Sequence, residues 1–264
     1  MSGGARRPLP HRLPTAVGVV AAAGVTVLFI PLLALLLDAP WARLADLLLT
    51  PETVTAIRVS LVVSLSATVA SVVIGVPTAF VLARHEFPGK SLVRTVVTVP
   101  LVLPPVVTGV ALLSGFGRRG LLGSAFGVGL SNTTVGAVLA ATLVAMPFLI
   151  LSVEGALRSA DPRLEQQAAS LGAGPLARWW QISLPLARPA IVAGAVLAWA
   201  RAMGEFGATI TFAGNIEGVS RTLPLDVSIA LLGDPDRALA LSLLMLTIAL
   251  GVLVALRDRW VPRR

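Results

Sequence analysis

The sequence predicts an all-α fold, that of a polytopic membrane protein with six transmembrane helices. Hydrophobic residues make up 56% of its 264 residues and charged residues only 13%, whereas about 25% of the residues of a soluble domain are charged. Several runs without a charged residue are also long enough to cross a bilayer, which takes about 20 apolar residues in a helix. Together these observations exclude an ordinary soluble globular protein.

Five uninterrupted apolar segments and one interrupted segment account for the six predicted helices. The uninterrupted segments are residues 13–37, 59–83, 95–117, the second part of 120–153, and 238–256. The interrupted segment starts at Ala190 and contains two charged residues, Arg201 and Glu205. The second segment is rich in valine, serine and alanine, and such small residues predict close packing against other membrane helices.

The N-terminal part is predicted to hold a helix and an interfacial segment. The apolar run at 13–37 is too long for the core of a signal peptide, so we expect it to be retained as the first helix. Residues 40–49 carry Trp41, Leu44 and Leu48 at helical spacing. This pattern predicts a short helix on the outer surface of the membrane, anchored by Trp41 at the level of the headgroups.

Basic residues are concentrated in the loops that the predicted helices place on one side of the membrane. The chain carries 21 Lys and Arg against 13 Asp and Glu, a net charge of +8. With the N-terminus inside, the cytoplasmic basic residues are Arg6, Arg7, Arg12, Arg84, Lys90, Arg94, Arg158, Arg163, Arg178, Arg188, Arg257, Arg259, Arg263 and Arg264. The outer ones are Arg43, Arg58, Arg118, Arg119, Arg221 and Arg237. Because Lys and Arg are enriched in cytoplasmic loops, we expect both termini on the cytoplasmic side of a multi-pass protein of the cytoplasmic (inner) cell membrane. The positive charge then requires no nucleic-acid partner.

Residues suited to catalysis or metal binding are scarce in the predicted spans. Cysteine is absent, and the two histidines, His11 and His85, lie at the membrane flanks. Glu205 is the only carboxylate well within a predicted span. Neither a metal site nor a nucleophile–base pair can be assembled from these residues. We therefore expect no catalytic residue, no metal and no cofactor, and an intramembrane enzyme is disfavoured.

The third predicted helix contains prolines that make it a candidate part of a translocation pathway. Pro100 and the adjacent pair Pro104 and Pro105 lie within residues 95–117. Proline leaves a backbone carbonyl without its usual partner, and in a bilayer that carbonyl must be met by a neighbouring helix or by water in a cavity. A kinked packing helix is an equally good interpretation on physical grounds alone.

The interrupted fifth span is the second candidate region. Arg201 and Glu205 lie four residues apart and can neutralise each other on one helical face. Ionisable groups inside a membrane are candidates for function, and a structural ion pair facing the bundle interior is the alternative. Gly204 and Gly207 bracket Glu205 and permit close backbone approach. The pathway candidates are Pro104, Pro105, Arg201, Gly204, Glu205, Gly207, Thr209, Thr211 and Asn215.

A polar, basic stretch at residues 161–189 interrupts the apolar segments and cannot lie inside a bilayer. Asp161 and Pro162 predict the start of a short helix, and Gly172 predicts its end in a left-handed turn. A second short helix is predicted to begin at Pro175. It should stop before Pro185, because proline biases the preceding residue away from helical geometry.

The first of these short helices resembles a known docking element. Its sequence EQQAASLG, from Glu165 to Gly172, and the ISLP at residues 182–185 are similar to the cytoplasmic EAA loop of permease subunits of ABC-type importers. In that family the helix before the glycine docks on an ATPase subunit, and Gln167 stands where alanine is usual. The resemblance implies a docking loop at residues 156–188. The implied docking residues are Glu165, Ala168, Ala169, Leu171 and Gly172. A passive channel, the alternative class, would not need such a loop.

Two further segments extend the resemblance. Residues 87–123 and 200–215 are similar to the molybdate and tungstate branch of the oxyanion importers. This similarity implies a type I ABC importer permease fold, with one transmembrane domain over residues 1–264, a core at about 53–257, and an additional N-terminal helix and interfacial segment at 1–52. Sulfate permeases of the same family tend to carry Gly-Glu-Tyr-Gly where this chain has Gly204-Glu-Phe-Gly207. Molybdate is therefore favoured, and sulfate or thiosulfate is the alternative substrate.

The resemblance also implies partners. They are a second copy of the chain in a homodimer, two cytoplasmic ATP-binding subunits and an extracytoplasmic molybdate-binding protein, with membrane lipid around the helices. The chain's own Gly89-Lys90-Ser91 ends like a phosphate-binding loop, but Arg84 stands where that motif requires its first glycine, and no strand is predicted before it. ATP hydrolysis is therefore expected in a partner subunit.

Overall fold

The computed structural model describes residues 15–260, with side chains described as far as Val254, and it contains helices and connecting turns. In chain order the α-helices are α1 (Thr15–Leu37), α2 (Leu44–Leu48), α3 (Pro51–Arg84), α4 (Lys90–Val102), α5 (Pro105–Phe116), α6 (Leu121–Phe126), α7 (Thr134–Ser159), α8 (Arg163–Ser170), α9 (Pro175–Arg178), α10 (Leu184–Met203), α11 (Gly207–Phe212), α12 (Leu223–Ala230) and α13 (Pro235–Trp260). A 3-10 turn at Trp41–Arg43 precedes α2. Residues 15–260 contain no β-strand. The predicted cytoplasmic residues Arg6, Arg7, Arg12, Arg263 and Arg264, together with His11, lie outside the described residues.

Five continuous helical segments in the described part of the chain are long and apolar enough to cross a membrane. They are Thr15–Leu37, Pro51–Arg84, Thr134–Ser159, Pro175–Met203 and Pro235–Val254. Each coincides with one of the predicted spans. The predicted all-α membrane architecture is therefore confirmed, and the remaining predicted span takes a different form.

The third predicted span is two helices instead of one. α4 ends at Val102 and α5 begins at Pro105, because Leu103 and Pro104 are extended, with ψ angles of 135° and 136°. A proline forces its predecessor into an extended conformation, and two adjacent prolines also remove two backbone donors. With 13 and 12 residues, neither helix alone reaches the roughly 20 residues that a crossing requires.

The predicted stop before Pro185 is wrong. Residues Trp179–Ser183 form a π-helical turn, and α9 runs through it directly into α10. The Leu184 amide donates to the Trp179 carbonyl, five residues back. The wider turn provides the physical reason, because it relieves the clash between a proline ring and the carbonyl four residues before it.

The main core lies where α3, α7 and α10 pack together. Small residues make this close approach possible. A Cβ atom on Gly75 of α3 would lie 2.9 Å from Leu149 Cδ2 of α7, and one on Gly194 of α10 would lie 3.1 Å from Leu149 Cα. Ser64, Ala67 and other small residues of α3 are buried, so the predicted packing role of this helix is confirmed.

The two ends of α3 mark opposite ends of the bundle. At its C-terminal end, Arg84 contacts Glu165 of α8. At its N-terminal end, Thr53 lies beside Arg237 of α13. About 45 Å of helix separates residues 53 and 84. The end that contains α8 is called the loop end below, and the end that contains Thr53 is called the far end.

α1 lies outside the core. None of its side chains is buried, and it contacts α13. After it, Arg43 Nη1 donates to Asp236 Oδ2 at 2.9 Å, which fixes the short segment following α1 to the start of α13. Trp41 donates from Nε1 to the Leu36 carbonyl. The predicted short helix at residues 40–49 therefore forms as the 3-10 turn and α2.

Candidate docking loop and translocation site

Hydrogen bonds cap helix α8 at both of its ends. Its start is stabilised by Asp161, whose Oδ1 accepts a hydrogen bond of 2.9 Å from the Arg163 amide. At its end Gly172 has a φ of +86°, as the sequence predicted. The Gly172 amide donates to the Ala169 carbonyl, and the Ala173 amide donates to the Ala168 carbonyl. This is the hydrogen-bond pattern of a Schellman motif, which requires a left-handed residue at this position.

The side chain of Glu165 in α8 forms hydrogen bonds with other segments of the same chain. Its Oε1 accepts hydrogen bonds from Arg84 Nε at 3.1 Å and from the Ser183 hydroxyl at 2.9 Å. Only 13% of the Arg84 side chain and 15% of the Glu165 side chain are exposed. Ser183 belongs to the π-helical turn and is fully buried. One carboxylate thus joins α8 to the end of α3 and to the turn that leads into α10.

The other predicted docking residues face outwards or sit at the edge of α8. Leu171 is 89% exposed, Ala169 and Gly172 are exposed, and Ala168 is half-buried. Three further large apolar side chains of the loop are exposed, namely Leu164, Leu176 and Trp180. Exposed large apolar side chains in a polar loop make this loop a candidate protein-binding surface. We call Leu164, Leu171, Leu176 and Trp180 the apolar loop patch.

The polar break in the fifth span is built around Glu205. α10 ends at Met203, so Glu205 lies between α10 and α11 instead of within one helix. Its Oε2 is 2.5 Å from Arg201 Nη1, and its Oε1 accepts a hydrogen bond of 2.8 Å from the Ala208 amide. Only 2% of Glu205 is exposed, against 29% of the Arg201 side chain. The predicted Arg201–Glu205 pair forms, and the same carboxylate also accepts from an amide at the start of α11.

The candidates from the third and fifth spans meet where α5 packs on α11. A Cβ atom on Gly207 would lie 2.6 Å from Pro105 Cβ, and one on Gly109 would lie 2.5 Å from Thr211 Cβ. The two helices therefore touch almost backbone to backbone. The break at Pro104 and the break at Glu205 are adjacent in space, although about 100 residues separate them in the chain. Thr209 is buried beside this contact.

Two of the pathway candidates, Thr211 and Asn215, form hydrogen bonds away from Glu205. Thr211 donates from Oγ1 to the Gly207 carbonyl at 2.8 Å, a bond within α11. Asn215 Oδ1 accepts from Arg221 Nε at 3.0 Å, in the loop that follows α11. Gly204 is exposed at the end of α10. The polar candidates thus spread from the break towards the far end.

Two buried carboxylates were not singled out from the sequence. Glu154 of α7 is 4% exposed and forms ion pairs with Arg94 of α4 and, at 3.8 Å, with Arg158. Asp226 of α12 is 1% exposed, and Arg237 Nη2 donates to its Oδ2 at 2.7 Å. The spacing of Glu154 and Arg158 was a usable signal, since oppositely charged residues four apart pair on a helix. Within the described residues, no three metal-ligating side chains come together.

The membrane-crossing helices, the span broken beside a buried ion pair and the polar loop with exposed apolar side chains are features of a multi-pass membrane protein of the transporter class. The chain belongs to the family of binding-protein-dependent transport system inner membrane components, whose family model matches residues 71–264. A fold comparison agrees with this assignment. A chain in the crystal structure of a bacterial ABC transporter involved in the import of the acidic polysaccharide alginate superposes with a TM-score of 0.74 at 16% identity, covering 94% of this chain and 96% of that one.

Relatives with curated names are similar over nearly the whole chain. The molybdenum transport system permease protein ModB of Mycobacterium tuberculosis is 45% identical over 253 residues, which is 95% of this chain and 96% of that protein. The protein of the same name from Escherichia coli is 41% identical over 221 residues, covering 82% of this chain and 96% of that protein. The expected family and permease fold are thus confirmed.

Proposed function

We propose that the chain is the permease subunit of an ATP-driven ABC importer that moves molybdate across the cytoplasmic membrane. The observation that carries this proposal is the 45% identity with a molybdenum permease along 95% of the chain. Sulfate or thiosulfate is the alternative substrate. The Gly204-Glu-Phe-Gly207 sequence at the polar break favours molybdate.

Energy would come from two cytoplasmic ATP-binding subunits. Lys90 forms an ion pair with Glu86 at 2.6 Å, and no strand precedes Gly89 within residues 15–88, whereas a phosphate-binding loop joins a strand to a helix. The docking surface would combine Ala168, Ala169, Leu171 and Gly172 with the apolar loop patch. Glu165 would then hold the docking helix in place from inside the chain.

The translocation pathway would pass the break between α10 and α11. An unpaired carboxylate would repel a divalent oxyanion in a medium of low dielectric constant, and pairing with Arg201 removes that repulsion. The half-exposed Arg201, the glycines and Pro104 would face the pathway, which a second copy of the chain would complete. An extracytoplasmic molybdate-binding protein would deliver the anion at the far end. The loop end and both termini would then be cytoplasmic.

Uptake by the reconstituted transporter tests this function. The permease, its ATPase and its binding protein would be placed in proteoliposomes, and radiolabelled molybdate, tungstate and sulfate would be compared with ATP or a non-hydrolysable analogue inside. We expect ATP-dependent molybdate uptake that excess sulfate does not suppress. If sulfate is taken up and molybdate does not compete with it, the chain is a permease for the alternative substrate, sulfate. Uptake that proceeds equally with the analogue would identify a passive channel.

A further inference from the structure

Arg118 and Arg119 stand in a stretch of the chain that lacks acidic residues. Between Glu86 and Glu154 the sequence contains no Asp or Glu. The two other basic residues of this stretch, Lys90 and Arg94, form ion pairs. Within residues 15–254 neither Arg118 nor Arg119 takes part in an ion pair or a side-chain hydrogen bond. Their two charges are therefore free for a ligand.

Three of the four other predicted outer arginines form ion pairs. Arg43 pairs with Asp236, Arg221 with Glu217, and Arg237 with Asp226. The remaining one, Arg58 of α3, also has no acidic partner among the described residues, but it lies beside Thr55, Thr134 and Gly218 in a separate pocket. Arg58 therefore offers a matched control with the same charge at another place on the far end.

Both arginines line one open pocket of about 490 Å³. Ser114 at the end of α5 and Ser131 before α7 contribute hydroxyl groups to the same pocket, and no carboxylate lines it. Guanidinium and hydroxyl groups are the donors that oxyanions accept from, and arginine can bind two oxygens of one anion at once. The chemistry of the lining thus suits a tetrahedral oxyanion.

The backbone that carries the two arginines is tightly packed. A Cβ atom on Gly129 would lie 2.7 Å from Arg118 Cα, and one on Gly123 would lie 1.9 Å from the Gly117 carbonyl oxygen. The Leu130 amide also donates to the Phe116 carbonyl at 3.0 Å. Only glycine fits at these two positions, and the resulting close contacts fix the backbone at Gly117 and Arg118. A preorganised site binds with a smaller loss of conformational entropy.

The pocket lies at the far end, where α5 finishes. Pro105, at the start of the same helix, touches Gly207 next to the polar break, and the 12 residues of α5 span about 18 Å. Thr134, which begins α7 just after the pocket, donates to the Val219 carbonyl in the loop between α11 and α12, which is called the far-end loop. In the proposed orientation an arriving anion would meet Arg118 and Arg119 before it reaches Arg201 and Glu205.

We propose that Arg118, Arg119, Ser114 and Ser131 form an outer anion site, which binds the divalent oxyanion at the extracytoplasmic mouth of the pathway. This inference rests on the proposed function, which supplies a doubly negative substrate. Two unpaired cations attract such an anion over several ångströms and raise its local concentration. The site is weakened by salt, because exposed charges are screened within about 8 Å at physiological ionic strength.

Anion binding to the permease–ATPase complex tests this site directly. The complex, held in lipid nanodiscs without binding protein, is dialysed against radiolabelled molybdate at low and at physiological salt. We expect saturable binding that Arg118→Gln with Arg119→Gln weakens by roughly tenfold or more, the value of a lost charge-assisted hydrogen bond. Arg58→Gln should bind like wild type. Elution of each variant complex as a single wild-type-like species establishes that it is folded.

A second measurement separates the anion from a protein partner. The affinity of each complex for the loaded binding protein is measured by fluorescence anisotropy, and we expect the double variant to retain it. Unchanged anion binding in the double variant would overturn the outer anion site, as would undetectable binding to the wild-type complex. Loss of binding-protein affinity with anion binding intact would assign the arginines to the protein interface. If the uptake experiment identifies sulfate as the substrate, the binding experiment is carried out with labelled sulfate instead of molybdate. Failure of the proposed substrate can then be distinguished from failure of the outer anion site.

Discussion

Glu165 and Arg84, 81 residues apart in the chain, form an ion pair of 3.1 Å at the loop end, and both are largely buried. The pair attaches α8 to α3, a helix that runs to the opposite end of the bundle. Because Glu165 also accepts from Ser183, α8 is connected to two spans at once. Arg84 is therefore expected to be a positioning residue for α8, the proposed docking helix.

Replacing Arg84 by glutamine should loosen α8 without removing any of the exposed docking residues. The lost charge-assisted bond should destabilise the loop by about 1–3 kcal/mol, because Glu165 is left partly buried without its cation. Hydrogen exchange of α8 should accelerate, and more ATP should be hydrolysed per molybdate transported. Arg163→Gln, an exposed change on the same helix, is the control. Unaltered exchange in Arg84→Gln would show that the pair does not position α8.

Gly172→Val should impair transport while leaving a folded, inserted protein. A Cβ atom at Gly172 would meet nothing within 4 Å, so any effect comes from the positive φ alone. An L-residue in this conformation costs about 1–2 kcal/mol, and a β-branched residue more. Gly172→Asn should be milder, because asparagine tolerates the left-handed region.

Gly174→Val is the matched control for this change. Gly174 lies two residues further on, also in open space, but with a φ of −65°. It should transport nearly as well as wild type. Normal ATPase association and uptake in Gly172→Val would mean that the turn is not needed for docking.

Arg201 and Glu205 are expected to act as a structural neutralising pair. Removing one member leaves a buried charge without its partner, which costs about 3–5 kcal/mol, whereas Arg201→Met combined with Glu205→Gln should restore much of the assembly. Glu205→Gln retains an oxygen for the Ala208 amide, so Glu205→Ala should be the more damaging single change. If the double variant assembles but fails in uptake, Arg201 contacts the substrate. Wild-type assembly and uptake by Glu205→Gln alone would refute the structural role.

Asp226 gives the far end a pH-dependent stability. Burial raises the pKa of its carboxyl above the usual value of 3.8, although Arg237 lies 2.7 Å away. Just above pH 3.8 the folded protein therefore holds a proton that the unfolded chain has released, so the free energy of unfolding falls as the pH rises through this window. Asp226→Asn has no such proton. The difference in the free energy of unfolding between Asp226→Asn and wild type, measured by thermal unfolding in detergent, should vary with pH in that window and become constant near neutrality. A constant difference throughout would contradict the raised pKa.

The proposed orientation can be tested by labelling single cysteines, because the natural sequence has none. Ser170→Cys at the end of α8 should react with an impermeant thiol reagent only from the cytoplasmic side. Glu217→Cys, on an exposed residue of the far-end loop, should react only from outside. The neighbouring Ser220 is fully buried and is unsuitable. Labelling of Ser170→Cys from outside would invert the orientation.

Local signals in the sequence were sufficient for some parts of the site. Gly172 follows a short amphipathic helix and was predicted to adopt a left-handed turn, because this conformation depends mainly on the residue itself. The Arg201–Glu205 pair was predicted from spacing alone. The end of α10 between these two residues was not, because the only helix-weakening residue there is Gly204, and glycine is common inside membrane helices.

Other parts depend on contacts between distant segments. The ion pair of Glu154 with Arg94 joins residues 60 apart, and no local pattern specifies it. The π-helical turn before Pro185 is held by Ser183 on Glu165 and by an edge-to-face contact of Trp179 with Phe80, whose ring centroids are 4.5 Å apart. Such tertiary contacts override the local preference of proline for ending a helix.

The interruption at Leu103 and Pro104 affects whether the number of membrane crossings is counted as odd or even. The part of the chain that the structure describes has five continuous helices long enough to cross. Five crossings, an odd number, would put the beginning of α1 and the end of α13 on opposite faces of the bilayer. α4 and α5 together contain 25 residues, from 13 and 12, and reach about 37 Å end to end. Taken as one crossing in two pieces, they restore an even number. On that count the beginning of α1 and the end of α13 would lie on the same side of the bilayer as α8.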